Sequence, residues 1–96
     1  MKSMEGMKVV RYSSRYKKDV KRYANQPAKL NALYNIVKLL AEGHSIPAEN
    51  YPHRLKGQYN GCWECHIESD FLLIWIDDST DTIWLERLGS HSELFK

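Results

Sequence analysis

No run of apolar residues in this chain approaches the ~20 that a membrane-crossing helix requires. The first residues also lack the basic stretch, apolar segment and cleavage site of a secretory signal, so the expected location is the cytoplasm and no membrane partner is expected. Cysteine is scarce. Two residues cannot build a disulfide framework, and in that compartment they are expected to be reduced thiols. No second cysteine pair exists to complete a tetrahedral zinc site. Glycine (5) and proline (3) are too few for a collagen-like or low-complexity chain. What remains, 43% apolar and 27% charged residues in a length of 96, describes one small globular domain that buries roughly two-thirds of its unfolded surface.

Acidic residues are nearly missing from the first third. Residues 1–30 carry nine Lys or Arg against Glu5 and Asp19, whereas residues 61–96 carry two against eight acids. The run Arg15–Arg22 would turn Lys17, Lys18, Lys21 and Arg22 outward from a helix. Such a stripe attracts phosphate backbones in a salt-dependent way, although a merely solvated helix face has the same composition.

The domain is expected to span 7–96, with residues 1–6 an extension of no assigned function. Residues 7–12 read as a strand. Ser13 or Ser14 can cap a first helix of about ten residues, in which Tyr16, Val20 and Tyr23 share a face. Pro27 suits the first turn of a second helix that runs to Gly43, with Leu30, Leu33, Val37 and Leu40 as its buried stripe. A loop containing Pro47 and Pro52 leads to strands near 58–67, 71–77 and 82–88, joined by short turns. Phe71–Ile76 is continuously apolar, which suits a central strand buried on both faces. The order β-α-α-β-β-β predicts an α+β fold, a helical hairpin packed on one face of a small, mainly antiparallel sheet.

Cys62-Trp63-Glu64-Cys65-His66 is literally the haem-attachment pattern C-x-x-C-H. Strand alternation argues against haem, because Cys62, Glu64 and His66 face one way while Trp63 and Cys65 face the other. The same alternation sets Glu64 and His66 ~6.6 Å apart on one face, a span that brackets a phosphate. His53 ends the preceding loop, Asp70 lies at the first hairpin and Arg87 near the end of the last strand. His91 and Phe95, four apart, share a face if Gly89–Phe95 contains a helical turn. A groove across one sheet face would gather all of them. Histidines titrate near neutrality, so one can accept a proton and another donate one. With a carboxylate to orient them and an arginine to hold an anion, they suit general acid/base attack on a phosphodiester. RNA supplies its own nucleophile, the 2′-OH, so neither metal nor cofactor is called for, and the products would be a 2′,3′-cyclic phosphate and a 5′-OH. His44, following Gly43, is simply a charge partner for a helix end.

Leu55-x-Gly57, Tyr59-x-Gly61, Trp63-Glu64-x-His66-Ile67-x-x-Asp70, Leu72-Leu-Ile-Trp75 and Arg87-x-Gly-Ser-His91-x-Glu-Leu-Phe95 together resemble the YafQ-like branch of the RelE/ParE toxin superfamily. The likeness runs from Met7 onward and is most specific in the C-terminal half. It implies a microbial-ribonuclease-like fold, cleavage of messenger RNA in the ribosomal A site, and neutralisation by a cognate antitoxin. It further implies a catalytic set of His53, Glu64, His66, Asp70, His91 and Phe95, a phosphate contact at Arg87, and ribosomal RNA facing Lys17, Lys18, Lys21 and Arg22. Glu64 stands where some members have aspartate. Within the set, His91 is expected as general acid, His53 or His66 as base oriented by Glu64 or Asp70, and Phe95 as the stacking platform. ParE-like members, which act on DNA gyrase by binding alone, give the alternative. Several proton-transfer groups on one face argue against it.

Overall fold

Ser13 ends the first strand, β1 (Val9–Tyr12), and starts the first helix, α1 (Ser14–Lys21). Its hydroxyl accepts from the Tyr16 amide at 3.0 Å and donates to the Glu86 carbonyl at 2.8 Å. The computed structural model describes residues 7–95, so the short N-terminal extension lies outside the described residues. Pro27 opens α2 (Pro27–Ala41) as expected. The helix stops two residues before Gly43, whose left-handed φ of 76° closes a Schellman motif: the Gly43 amide donates to Leu40 and the His44 amide to Leu39.

After a 3-10 turn at Ala48–Asn50 come β2 (His53–Arg54), a second 3-10 turn at Gly57–Tyr59, and β3 (Trp63–Glu68). The chain then runs through β4 (Phe71–Asp78), β5 (Thr82–Gly89) and a single-turn helix, α3 (His91–Leu94). The sheet order is β1-β5-β4-β3-β2, with β1 parallel to β5 and every other pair antiparallel. The α+β architecture and the mainly antiparallel sheet agree with the sequence reading. Two details differ. The strand expected from residue 58 begins at Trp63, because Gly57 (φ 73°) and Gly61 (φ 90°) take left-handed conformations that fold residues 57–62 into a loop. The Leu55 amide closes that loop on the Cys62 carbonyl at 2.8 Å. The extra strand β2 has only two residues, too short for any periodicity to announce.

The main core lies between the helices and one sheet face. Tyr16, Tyr23, Leu33, Ile36 and Leu40 pack there against Cys65, Ile67, Phe71, Leu73, Trp75, Ile83, Leu85 and Leu88. A smaller core occupies the opposite face, where Tyr59, Cys62 and Leu94 cover Leu72 and Ile74 of β4. The strand is thus buried on both faces. The two cysteines are free, buried and on opposite faces. Burial, reinforced by the Glu64 charge, pushes the Cys65 thiol up to about 12, which keeps it unreactive.

Candidate active site

The register of the two-residue strand β2 places His53 opposite Glu64 and Arg54 opposite Trp63. His53 Nδ1 bonds the Tyr51 carbonyl at 2.8 Å, and its Nε2 stands 3.1 Å from Glu64 Oε1. A carbonyl can only accept, so Nδ1 carries a hydrogen. Nε2 thus faces the Glu64 carboxylate, and the two form an ion pair when the imidazole is protonated. Glu64 is 3% exposed, and its Oε2 is the one buried side-chain oxygen without a hydrogen-bond partner among the described residues.

Two residues along β3, His66 lies on the same face. A register shift between His66 and Glu68 then turns the chain through the hairpin that carries Asp70. Asp70 Oδ1 accepts from the His91 backbone amide at 2.9 Å and from His91 Nδ1 at 2.8 Å. These bonds, the amide first, hold the Asp70 carboxyl below its ordinary range. They also fix the ring so that Nε2 of His91 is the free nitrogen. The His66 and His91 ring centroids are 5.7 Å apart, and Phe95 follows at 6.1 Å from His91. The ring nitrogens of His66 make no hydrogen bond to a described residue.

The turn that carries His91 and Phe95 is secured from behind. Ser90 caps α3, accepting from the Glu93 amide at 3.2 Å, while Glu93 Oε1 accepts from the Ser90 amide at 2.8 Å in a reciprocal capping box. Glu93 Oε1 also accepts from the Tyr23 hydroxyl at 2.7 Å, tying the turn to the end of α1. The Tyr59 hydroxyl donates to the Leu94 carbonyl at 2.9 Å, and its ring meets Phe95 edge-on.

The expected groups His53, Glu64, His66, Asp70, His91 and Phe95 therefore converge on one side of the sheet. Arg87 does not join them at the surface. It is 8% exposed, with Nε and Nη2 on the two Asp19 oxygens at 2.8 and 3.2 Å and Nη1 on the Tyr59 hydroxyl at 3.0 Å. The Asp19 bonds raise its already high pKa. Lys17, Lys18, Lys21 and Arg22 are exposed along α1, with Arg22 also reaching Asp19 at 3.4 Å.

Sequence reasoning missed Asp19, although its i+3 spacing from Tyr16 puts it on the buried helix face. It read Tyr59 as part of a strand. For Tyr51 there was no signal. Among the described residues no group of three or more His, Cys, Asp or Glu is placed to hold a metal ion.

The chain matches a family model described as a bacterial toxin of type II toxin-antitoxin system, YafQ, over residues 8–96. It is 34% identical to the mRNA interferase toxin YafQ of Escherichia coli K12 over 88 residues, 90% of this chain and 94% of that one. Its fold is similar to the toxin in the E. coli DinJ-YafQ toxin-antitoxin complex, with a TM-score of 0.82, 31% identity and coverage of 94% and 99% of the two chains. A metal-bound toxin from Helicobacter pylori gives a TM-score of 0.83 at 36% identity, over 93% of this chain and 100% of that one.

Proposed function

Given that the chain belongs to the YafQ family of bacterial toxins from type II toxin-antitoxin systems, we propose that it cleaves messenger RNA on the ribosome by metal-independent acid/base catalysis. The observation that carries this reading is the facing pair His66 and His91, 5.7 Å apart, with His91 anchored through Nδ1 to Asp70. His66, whose ring nitrogens bond no described residue, takes the proton from the 2′-OH. The freed oxygen attacks phosphorus, and the bond from phosphorus to the 5′ oxygen breaks. Nε2 of protonated His91 delivers its proton to the departing 5′ oxygen, leaving a 2′,3′-cyclic phosphate and a 5′-OH. Asp70 keeps the His91 ring oriented, with Nε2 free to face the leaving oxygen. When protonated, His53, steadied by Glu64 and the Tyr51 carbonyl, places a positive charge beside the phosphate as negative charge grows there.

Phe95 stacks a base beside the cut, holding the backbone in line. Arg87 acts one step back, anchoring Tyr59 and through it the turn that carries Phe95. The exposed cations of α1 face ribosomal RNA, and a cognate antitoxin neutralises the protein, as the DinJ-YafQ structures of E. coli suggest by analogy.

The test is to induce the protein in growing bacteria beside His91→Ala and to map new 5′ ends on a translated message. Cuts at in-frame positions that vanish with His91→Ala are expected. Growth arrest without cuts, or equal cutting by both versions, would remove the catalytic reading and leave a toxin that acts by binding.

A further inference from the structure

Four rings follow one another through the groove: Tyr51, His66, His91 and Phe95, with successive centroids 5.6, 5.7 and 6.1 Å apart. The inner two are the proposed base and acid. The outer two are exposed aromatics, Phe95 at 37% and Tyr51 at 66%. Phe95 already has a role. Tyr51 has none in the fold: its ring belongs to neither core, and its hydroxyl bonds no described residue.

The backbone nevertheless holds Tyr51 firmly in place. Its φ of 50° is left-handed, a conformation that a bulky side chain rarely adopts and that clusters at functional sites. On one side, the Asn50 side-chain amide donates to the His66 carbonyl at 2.8 Å. The Tyr51 amide closes the 3-10 turn on Ala48 at 3.0 Å, and its own carbonyl receives His53 Nδ1 at 2.8 Å. Pro52 stiffens the next step. Asn50 is thus tied to His66 and the Tyr51 carbonyl to His53, and an unburied ring is held beside the proposed base.

We propose that Tyr51 is a second stacking subsite, taking a nucleobase of the RNA on the other side of the scissile phosphate from the base held by Phe95. Gripping the strand on both sides of the bond lines up the attacking and leaving oxygens better than one platform can. The contact is to a base face, so it serves any nucleotide and needs only the ring, not the hydroxyl. This inference rests on the ribonuclease reading above.

The experiment is single-turnover cleavage of a ribosome-bound message in which each nucleotide around the cut is replaced in turn by an abasic one. On the intact message, Tyr51→Ala is expected to lower the second-order cleavage constant about 5- to 150-fold, the range for losing one base-aromatic stack, while Tyr51→Phe stays near wild type. At one abasic position the wild type should fall to the Tyr51→Ala level, and the substitution should then cost nothing more. Phe95→Ala should lose its coupling at a different nucleotide. The proposal is overturned if Tyr51→Ala cleaves like wild type, if Tyr51→Phe is equally impaired, or if the Tyr51→Ala loss persists at every abasic position. If the wild type does not cut, or His91→Ala cuts as well as it does, the ribonuclease reading itself falls, and this subsite with it.

Discussion

Arg87 and Asp19 meet through two hydrogen bonds in a largely buried setting, and Asp19 also accepts from the Leu88 amide at 2.9 Å. Truncating one partner of such a pair leaves the other charge buried and unpaired. Arg87→Ala is therefore expected to cost about 3–5 kcal/mol in urea unfolding, and adding Asp19→Ala to it should cost less than the two single losses combined. A destabilisation below about 1 kcal/mol would return Arg87 to the role of a free phosphate contact. The sequence could not show which role it has. Counted by alternation from Ile83 and Leu85, Arg87 belongs on the helix side, but β5 bulges between Leu85, opposite Trp75, and Arg87, opposite Ile74. That one extra residue reverses the alternation, so Arg87 reaches Tyr59 and Leu88 returns to the main core. Glu64 and His66, on a strand without a bulge between them, were legible by the same counting.

Among the elements, α3 is the shortest helix and the one on which the proposed chemistry depends most. A single turn has no stability of its own, so it stands by its capping box, the Tyr23 and Tyr59 bonds and the burial of Leu94. Gly89 marks its weak point, since a Cβ there would lie 2.6 Å from Glu93 Oε1, the atom that serves both the Ser90 amide and the Tyr23 hydroxyl. Gly89→Ala is expected to lower cleavage at least tenfold while costing only about 1–3 kcal/mol of stability, the range for overpacking. Matched unfolding curves and single-turnover rates check this, and a rate loss no larger than the unfolded fraction explains would refute it. A helical turn within Gly89–Phe95 was legible, as were Pro27 and Gly43 at the ends of α2, whereas the capping box at Ser90 emerges only from the fold. Strand β2 and the loop at residues 57–62 were not legible, because two residues have no period and the loop is shaped by two left-handed glycines and by where Tyr59 finds a partner.

For the molecule as a whole, ionisable groups bound the pH range of stability from both sides. Burial pushes the Tyr16 phenol up, and burial with the Glu93 bond raises Tyr23 from 10.0 to about 12. Raised phenols contribute stability that is complete below pH 10 and lost as pH climbs through the folded value. Asp70, Asp78 and Glu93 are shifted the other way, mainly by hydrogen bonds, so their contribution holds above the ordinary carboxylate range and is lost as pH falls. Melting temperature should therefore decline as pH climbs from about 9 to 12, where the buried Cys65 thiol adds its loss to that of the phenols, and decline again as pH falls below the ordinary carboxylate range. Tyr23→Phe should start lower and show a shallower alkaline decline, and an unchanged slope would exclude Tyr23 as a contributor. The parallel seam of the sheet has a consequence of another kind. Val9 pairs with Thr82, so the strand made first waits for the strand made last before either edge is satisfied. A chain that has reached only the end of α2 holds the residues of β1 but no strand for them to pair with, and none of β3, β5 or α3, which carry the walls of the candidate groove.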